Sequence, residues 1–168
     1  MRQKDGGWAI PFRTAGRIIK DSSYENRVDK PLPNDPNKPS SHLITGIVLR
    51  AFAAHSHYRK SIEAKKAGTL LKSRFFKRDA YPDHGSPDYW GKLCYPFWWT
   101  DIVSSLDSLS KLRFKAADKD IIRGLKYLID NQRPDGTWKV YYGLPKDEDN
   151  DMWITLAISR VFKRFYSK

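Results

Sequence analysis

Apolar residues recur along most of the chain at the spacing of one helix face. This pattern predicts five helices, at about 41–58, 61–77, 96–111, 118–132 and 150–166. The first, third and fifth carry apolar side chains on nearly every side, which is typical of buried helices. The second and fourth each bury a single apolar stripe. We therefore expect two layers, with three inner helices and two outer ones.

The predicted helices are spaced as a repeat. Thr45, Thr100 and Thr155 follow similar apolar pairs and are separated by two intervals of 55 residues. Gly68 and Gly124 stand at matching places in the two outer helices. Helix pairs at a constant period, each burying a face on its neighbours, indicate a helical repeat array.

The second outer helix runs into a distinctive turn. The helix is predicted to end at Gln132, because Pro134 cannot continue it, and Gly136 gives the backbone the freedom that a reversal needs. The turn closes with Trp138. A second copy of this pattern opens the chain between Gln3 and Trp8, with one residue fewer between the glutamine and the aspartate.

These two segments resemble the QW repeat of the terpene cyclase and protein prenyltransferase superfamily, as in squalene cyclases. The shared features are a glutamine at the end of an outer helix followed by Asp-Gly-x-Trp or its close variant. The resemblance implies an all-α fold, an incomplete α/α toroid of helical hairpins, in which the tryptophan stacks on the glutamine. Residues 79–90 lie where a further such turn is expected, but they keep only Trp90.

On this interpretation the chain is one repeat domain, 1–168, and we expect it to be a fragment of a longer toroid. Its parts are a turn remnant and long connection at 1–40, hairpins at 41–90 and 91–138, and a loop with an inner helix at 139–168. Further repeats of a longer chain, or a second copy of this one, are expected to cover the open edges.

The chain carries a formal net charge of +12, concentrated between Arg59 and Arg78. An apolar stripe at helical spacing runs through this segment, so we interpret the charges as the solvated face of an outer helix. Because no aromatic residues of the kind that stack on bases are interleaved with them, we expect no nucleic acid partner. The resemblance leaves peripheral membrane contact open.

No apolar run approaches the roughly 20 residues of a membrane span, and the first residues lack the core of a signal peptide. A cytoplasmic location is the expectation. Cys94 is the single cysteine, and the four histidines all precede it. The zinc site that the prenyltransferase branch would need is therefore not predicted, and no metal or cofactor is expected.

The resemblance places the substrate cavity at the N-termini of the inner helices. The carboxylates that map there are Asp101, Asp149 and Asp151, candidates for an acid or a polar anchor. The alternative is that they cap helices, because a helix dipole stabilises a carboxylate at this end. The Asp-x-Asp-Asp motif of proton-initiated cyclases is not matched, since only Asp151 falls on it.

Aromatic residues cluster around the same region and are the candidates for ligand binding. They are Tyr89, Tyr95, Trp98, Trp99 and Trp153. Such rings can hold an isoprenoid chain or stack on sugars, and they can equally pack a core. Three functions remain open: a terpene cyclase-like or isoprenoid-handling protein with an aromatic-lined cavity, a non-catalytic α/α scaffold, and a carbohydrate-active α/α-toroid enzyme.

Overall fold

The computed structural model describes residues 1–10, 35–97, 99–143 and 149–167. Most of the predicted connection at 9–40 and the aromatic candidate Trp98 lie outside the described residues. Five α-helices and no strand occur in the described part, which confirms the all-α class. They are α1 His42–Ala54, α2 Ile62–Ser73, α3 Ile102–Lys111, α4 Lys119–Asp130 and α5 Asn150–Tyr166. No helix within these ranges is long and apolar enough to cross a membrane.

Side-chain caps decide where four of the helices begin. Ser41 accepts a hydrogen bond from the Ile44 amide at the start of α1, and Ser61 and Asp118 cap α2 and α4 in the same way. Helix α3 begins at Ile102 and not near 96 as predicted, because Asp101 and Ser104 form a capping box at its N-terminus. The residues before Asp101 form an irregular segment.

The helices form two layers. Helix α3 packs between α1 and α5, while α2 packs against α1 and α3, and α4 packs against α3 and α2. Helix α3 is the centre of this arrangement, and all of its residues except Asp107 and Lys111 are buried. The predicted layering is therefore observed, with α1, α3 and α5 in one layer and α2 and α4 in the other. The prediction that all three helices of the first layer are buried was right only for α3, because α1 and α5 each bury one face.

Two glycines let both outer helices approach α3. A Cβ atom on Gly68 of α2 would lie 2.7 Å from the ring of Phe114 and 3.0 Å from Leu109. A Cβ atom on Gly124 of α4 would lie 3.0 Å from the side chain of Ile102. In a close-packed interior a methyl group at Gly68 would force its neighbours to move, and one at Gly124 would require a shift of a few tenths of an ångström. The matching positions noted in the sequence thus have one cause, which is contact with the same inner helix.

The threonine period needs a correction. Thr100 precedes the N-cap of α3, and its hydroxyl donates to the Leu43 carbonyl of α1 over 2.6 Å. The residue of α3 that matches Thr45 is Ser105, because each lies four residues after its N-cap and donates its amide to the cap carbonyl. The alignment of Thr100 with Thr45 was therefore wrong, although the three threonines do stand 55 residues apart in the sequence.

Candidate functional site: an aromatic surface beside the inner helix N-termini

The turn after α4 ties the outer layer to the next inner helix. The backbone amide of Trp138 donates to the Thr155 hydroxyl of α5 over 3.1 Å, and its indole donates to the Leu128 carbonyl of α4 over 2.7 Å. The indole is only 4% exposed. It thereby gives one of the last carbonyls of α4 a short hydrogen bond, in addition to the bond of 3.3 Å from the Asn131 amide.

The N-terminal turn has the same hydrogen bonds. Trp8 donates its amide to Thr45 of α1 over 3.0 Å, and the Gly7 amide donates to Asp5 as the Thr137 amide donates to Asp135. Gly6 and Gly136 both have positive φ, at 94° and 84°. The two turns are built alike.

Backbone hydrogen bonds also correct the alignment of the two turns. The Gln3 amide donates to Gly7 and the Arg133 amide donates to Thr137, each four residues ahead. Gln3 therefore matches Arg133, and the glutamine one place earlier in the second turn, Gln132, matches Arg2. The apparent one-residue difference between the copies reflects this shift.

The glutamines act differently from what the resemblance implies. Gln132 is exposed and donates to the Gly136 carbonyl of its own turn over 2.8 Å. Gln3 is buried and donates to the carbonyls of Asp35 and Lys38. In the second turn the helix end is thus closed by the indole of Trp138, and the glutamine amide stabilises the turn.

The middle turn, before α3, is the incomplete one. Trp90 is fully buried and donates its indole N–H to the Lys77 carbonyl over 3.0 Å. The Ser105 hydroxyl, at the position of α3 that matches the acceptor Thr45, is buried and has no hydrogen-bond partner among the described residues. In the described residues, no hydrogen bond joins Trp90 to the Ser105 hydroxyl of α3, and Trp90 is held by its bond to the Lys77 carbonyl.

Asp101, the first carboxylate candidate, is completely buried at the N-terminus of α3. One oxygen accepts from the Ser104 amide over 2.7 Å, and the other accepts from the Cys94 amide over 3.0 Å. Burial raises the pKa of Asp101 to about 6, although these hydrogen bonds favour its charged form. The carboxylate therefore joins the helix to the segment that precedes it.

Asp151 has a similar place in α5. It accepts from the Val140 amide over 2.8 Å and lies 2.9 Å from the guanidinium of Arg133. Asp149 stands at the N-cap of the same helix and is exposed. Asp151 thus ties α5 to the segment after the Trp138 turn, while Asp149 faces solvent.

A further carboxylate, Asp79, was not predicted from the sequence. It is buried after α2 and accepts hydrogen bonds from the Ser41 hydroxyl over 2.7 Å and the His42 amide over 2.9 Å. Burial lowers the pKa of the neighbouring His42, against the attraction of Asp79. Asp79 therefore caps α1 from a distant loop, which no local sequence signal could have indicated.

Four of the five aromatic candidates lie in one region, beside the N-termini of α3 and α5. The Tyr89 and Trp99 rings meet edge to face with centroids 5.9 Å apart, and the Tyr95 and Trp153 rings stack at 6.0 Å. A hydrogen bond of 2.9 Å from the Tyr95 amide to the Tyr142 carbonyl joins the two pairs, since Tyr142 also contacts Trp99. The sequence analysis missed Tyr142, although it stands in a Tyr-Tyr pair between the turn and α5.

We call this region the aromatic surface. It consists of Tyr89, Tyr95, Trp99, Tyr141, Tyr142 and Trp153. Trp99 forms its base and is 8% exposed, whereas Trp153 is 44% and Tyr141 62% exposed. The ammonium of Lys92 lies 4.1 Å from the ring centroid of Tyr89 and 5.0 Å from that of Tyr141. The surface is therefore apolar in its faces and positively charged at one point.

Two open clefts lie elsewhere on the molecule. One of about 800 Å³ separates the N-terminal turn from α2, and one of about 370 Å³ lies beside Phe114. No group of three His, Cys, Asp or Glu side chains suited to a metal ion occurs among the described residues. The chain was compared with protein-family models, curated proteins and solved structures, and it matches none of them. The resemblance to QW-repeat proteins therefore rests on the sequence of the two turns alone.

Proposed function

We propose that the chain forms part of an α/α toroid of the QW-repeat type and that its aromatic surface binds a hydrophobic ligand such as an isoprenoid chain. The observation that carries the proposal is the group of rings beside the N-termini of α3 and α5, of which Tyr141, Tyr142 and Trp153 are exposed. In the superfamily that the turns resemble, this end of the inner helices surrounds the substrate. The two matching turns and the two-layer order of helices support the same assignment.

The rings suit a flexible apolar chain better than a compact polar ligand. The Tyr95 and Trp153 rings are stacked nearly parallel, at 8°, and Trp153 is 44% exposed. Its neighbours on α5, Met152 and Leu156, are also exposed, at 59% and 41%. Covering apolar surface contributes about 25 cal/mol per Å². Because an open surface covers only one side of a ligand, we expect a Kd of roughly 10–100 μM.

The carboxylates support binding more than acid catalysis. Asp101 accepts a hydrogen bond from the backbone amide of Cys94, and Asp151 accepts one from the backbone amide of Val140. Both donors lie in segments that carry part of the aromatic surface. We assign the two carboxylates a positioning role, in which they fix the segments that bear Tyr95 and Tyr141. Asp149, which is exposed, is the candidate for a polar anchor.

A sugar ligand is the second candidate, because an exposed, flat indole such as that of Trp153 can also stack on a pyranose ring. Glycoside hydrolysis is not part of this proposal. It needs two carboxyl groups that reach the scissile bond, and Asp101 is completely buried.

Titration of the full chain with farnesol, and separately with a cello-oligosaccharide, tests the proposal through tryptophan fluorescence. We expect farnesol to bind and the Trp153→Ala variant to bind it about tenfold more weakly. Tyr58→Ala is the matched control, since Tyr58 is a 52% exposed aromatic residue in the turn before α2. Binding of the sugar alone would favour the second candidate, and equal farnesol binding by all three proteins would contradict the assignment.

A further inference from the structure

Helix α2 presents one complete face to an open groove. The residues on this face recur at helical spacing over all three turns of the helix: Ile62, Lys65, Lys66, Thr69, Leu70 and Ser73. The opposite face, which includes Ala67 and Leu71, is buried against the rest of the fold. Residues 2–6 of the N-terminal turn form the other wall of the groove, and Lys60 lies at one end. We call this cleft of about 800 Å³ the α2 groove.

The α2 groove is strongly basic. Its lining contains five cations, namely Arg2, Lys4, Lys60, Lys65 and Lys66. The one carboxylate in the lining, Asp5, lies 3.0 Å from the guanidinium of Arg74 and accepts hydrogen bonds from Ser40. Its charge is therefore already compensated, and the groove keeps a net positive potential.

The cations are not equivalent. Lys65 donates to the Leu112 carbonyl, and burial lowers its pKa. Arg2 lies 3.7 Å from Glu63. Lys4, Lys60 and Lys66 are exposed and lie along the groove. These three are the cations best placed to meet an incoming acidic group.

The groove also has an apolar part. Ile62, in the first turn of α2, is 69% exposed, which is a large exposure for a branched apolar side chain. Leu70 lies two turns further along the same face and is half-buried. A ligand that recognised charge alone would gain nothing from these two side chains, whereas an amphipathic helix would cover them.

The edge of α2 next to the groove already packs against another helix, α4. The ammonium of Lys72 lies 3.0 Å from Asp118 and 3.3 Å from Asp120, at the start of α4. The rings of Phe76 and Tyr127 meet beside them, with centroids 5.1 Å apart. Two aspartates paired with one lysine of α2, together with an aromatic contact, thus already help to hold α4 against α2.

We propose that the α2 groove binds an acidic amphipathic helix of a partner protein. Its carboxylates pair with Lys4, Lys60 and Lys66, and its apolar residues cover Ile62 and Leu70. Helix α2 has 12 residues and is about 18 Å long, so a partner helix of three to four turns fills the face. This surface shares no residue with the aromatic surface, so the two proposals can fail independently.

A synthetic helical peptide of about 15 residues, with Glu and Leu on one face, serves as the probe. Its binding to the full chain is measured by fluorescence anisotropy, beside a peptide of the same composition whose scrambled order forms no such face. We expect only the amphipathic peptide to bind. Ile62→Asp and Lys66→Glu should each weaken its binding about tenfold, and added salt should weaken it further.

Matched controls are Ile129→Asp, at a 55% exposed isoleucine of the outer helix α4, and Lys139→Glu, at an exposed lysine after the second turn. Both should bind the peptide as the unmodified chain does, and circular dichroism checks that every variant is folded. Equal binding of the scrambled peptide would contradict the proposal, because it would show that the groove binds acidic peptides without recognising an amphipathic helix. Binding of phosphatidylserine vesicles through Ile62 and Lys66, without binding of the peptide, would overturn the proposal in favour of a membrane.

Discussion

Trp138 donates its backbone amide to the hydroxyl of Thr155, 17 residues further along the chain, over 3.1 Å. The same bond joins Trp8 to Thr45, over 3.0 Å. The turn after α4 is thus fixed to α5, and the N-terminal turn is fixed to the first turn of α1.

Removal of the buried indole should be costly. We expect Trp138→Ala to lower the free energy of unfolding by roughly 3–5 kcal/mol, because it leaves a cavity and also leaves the Leu128 carbonyl without its indole donor. Chemical denaturation measures the change. Trp153→Ala, at a 44% exposed tryptophan, should change it by less than about 1 kcal/mol. Equal stability of the Trp138 variant and the unmodified chain would contradict the proposed tie.

The hydroxyl acceptors can be tested without removing an aromatic ring. Thr155→Val and Thr45→Val should each cost about 1–3 kcal/mol, because a backbone amide loses its acceptor. Ser105→Ala should be close to neutral, since its buried hydroxyl has no partner within the described residues. Thermal unfolding of the three variants side by side measures the difference. A loss from Ser105→Ala as large as that from the threonine variants would show that the middle repeat has an equivalent tie.

A larger residue in place of a glycine that packs against α3 should destabilise the fold by steric overlap. Gly68→Ala should lower the free energy of unfolding by about 1–3 kcal/mol, because its Cβ atom would lie 2.7 Å from Phe114. Alanine at an exposed site in the same helix, Thr69→Ala, should be neutral or slightly stabilising because alanine has the higher helix propensity. Stabilisation by Gly68→Ala, measured by denaturant unfolding, would mean that α2 and α3 can move apart at little cost.

The free energy of unfolding should depend on pH through Asp101, and the direction of its pKa shift sets the sign of that dependence. Burial raises its pKa from 3.8 to about 6, so the folded state binds the proton more tightly than the unfolded chain does. The contribution of Asp101 to stability is therefore fully present below pH 3.8 and is lost as the pH rises through 6. The loss corresponds to about 3 kcal/mol.

The Asp101→Asn variant isolates this contribution because it removes the titrating group. The difference in unfolding free energy between the unmodified chain and the variant should decrease as the pH rises from about 4 to about 7. Denaturant unfolding at a series of pH values measures it. A difference that stays constant, or that grows with pH, would mean that Asp101 titrates at or below its ordinary value in the folded chain.

The sequence predicted most of the helical framework. Helix α5 begins at Asn150 and ends at Tyr166 as expected, since its apolar pattern is continuous. The start of α3 was misplaced because the aromatic residues before Asp101 look like further helix, although Asp101 is itself a recognisable cap. The alignment of Thr100 with Thr45 was wrong because Thr100 lies before the N-cap of α3, where Ser105 takes the position that matches Thr45.

The candidate site was predicted less completely, and the reason is distance along the chain. Tyr95 and Trp153 were both candidates, yet only the fold shows that their rings stack. Asp79 caps a helix that begins 37 residues before it in sequence, through its bond to the His42 amide. Local pattern gives no information about such pairs. The carboxylates Asp101 and Asp151 were found at the predicted helix ends, but their bonds to Cys94 and Val140 depend on loop conformation.

Photolabelling of the full chain with a diazirine analogue of farnesol, mapped by mass spectrometry, tests the central claim most directly. The proposed function predicts adducts on the two segments that bear the aromatic surface, around Tyr95 and between Tyr141 and Trp153, and competition by unlabelled farnesol. Adducts spread over the chain without competition, or confined to the α2 groove, would contradict it.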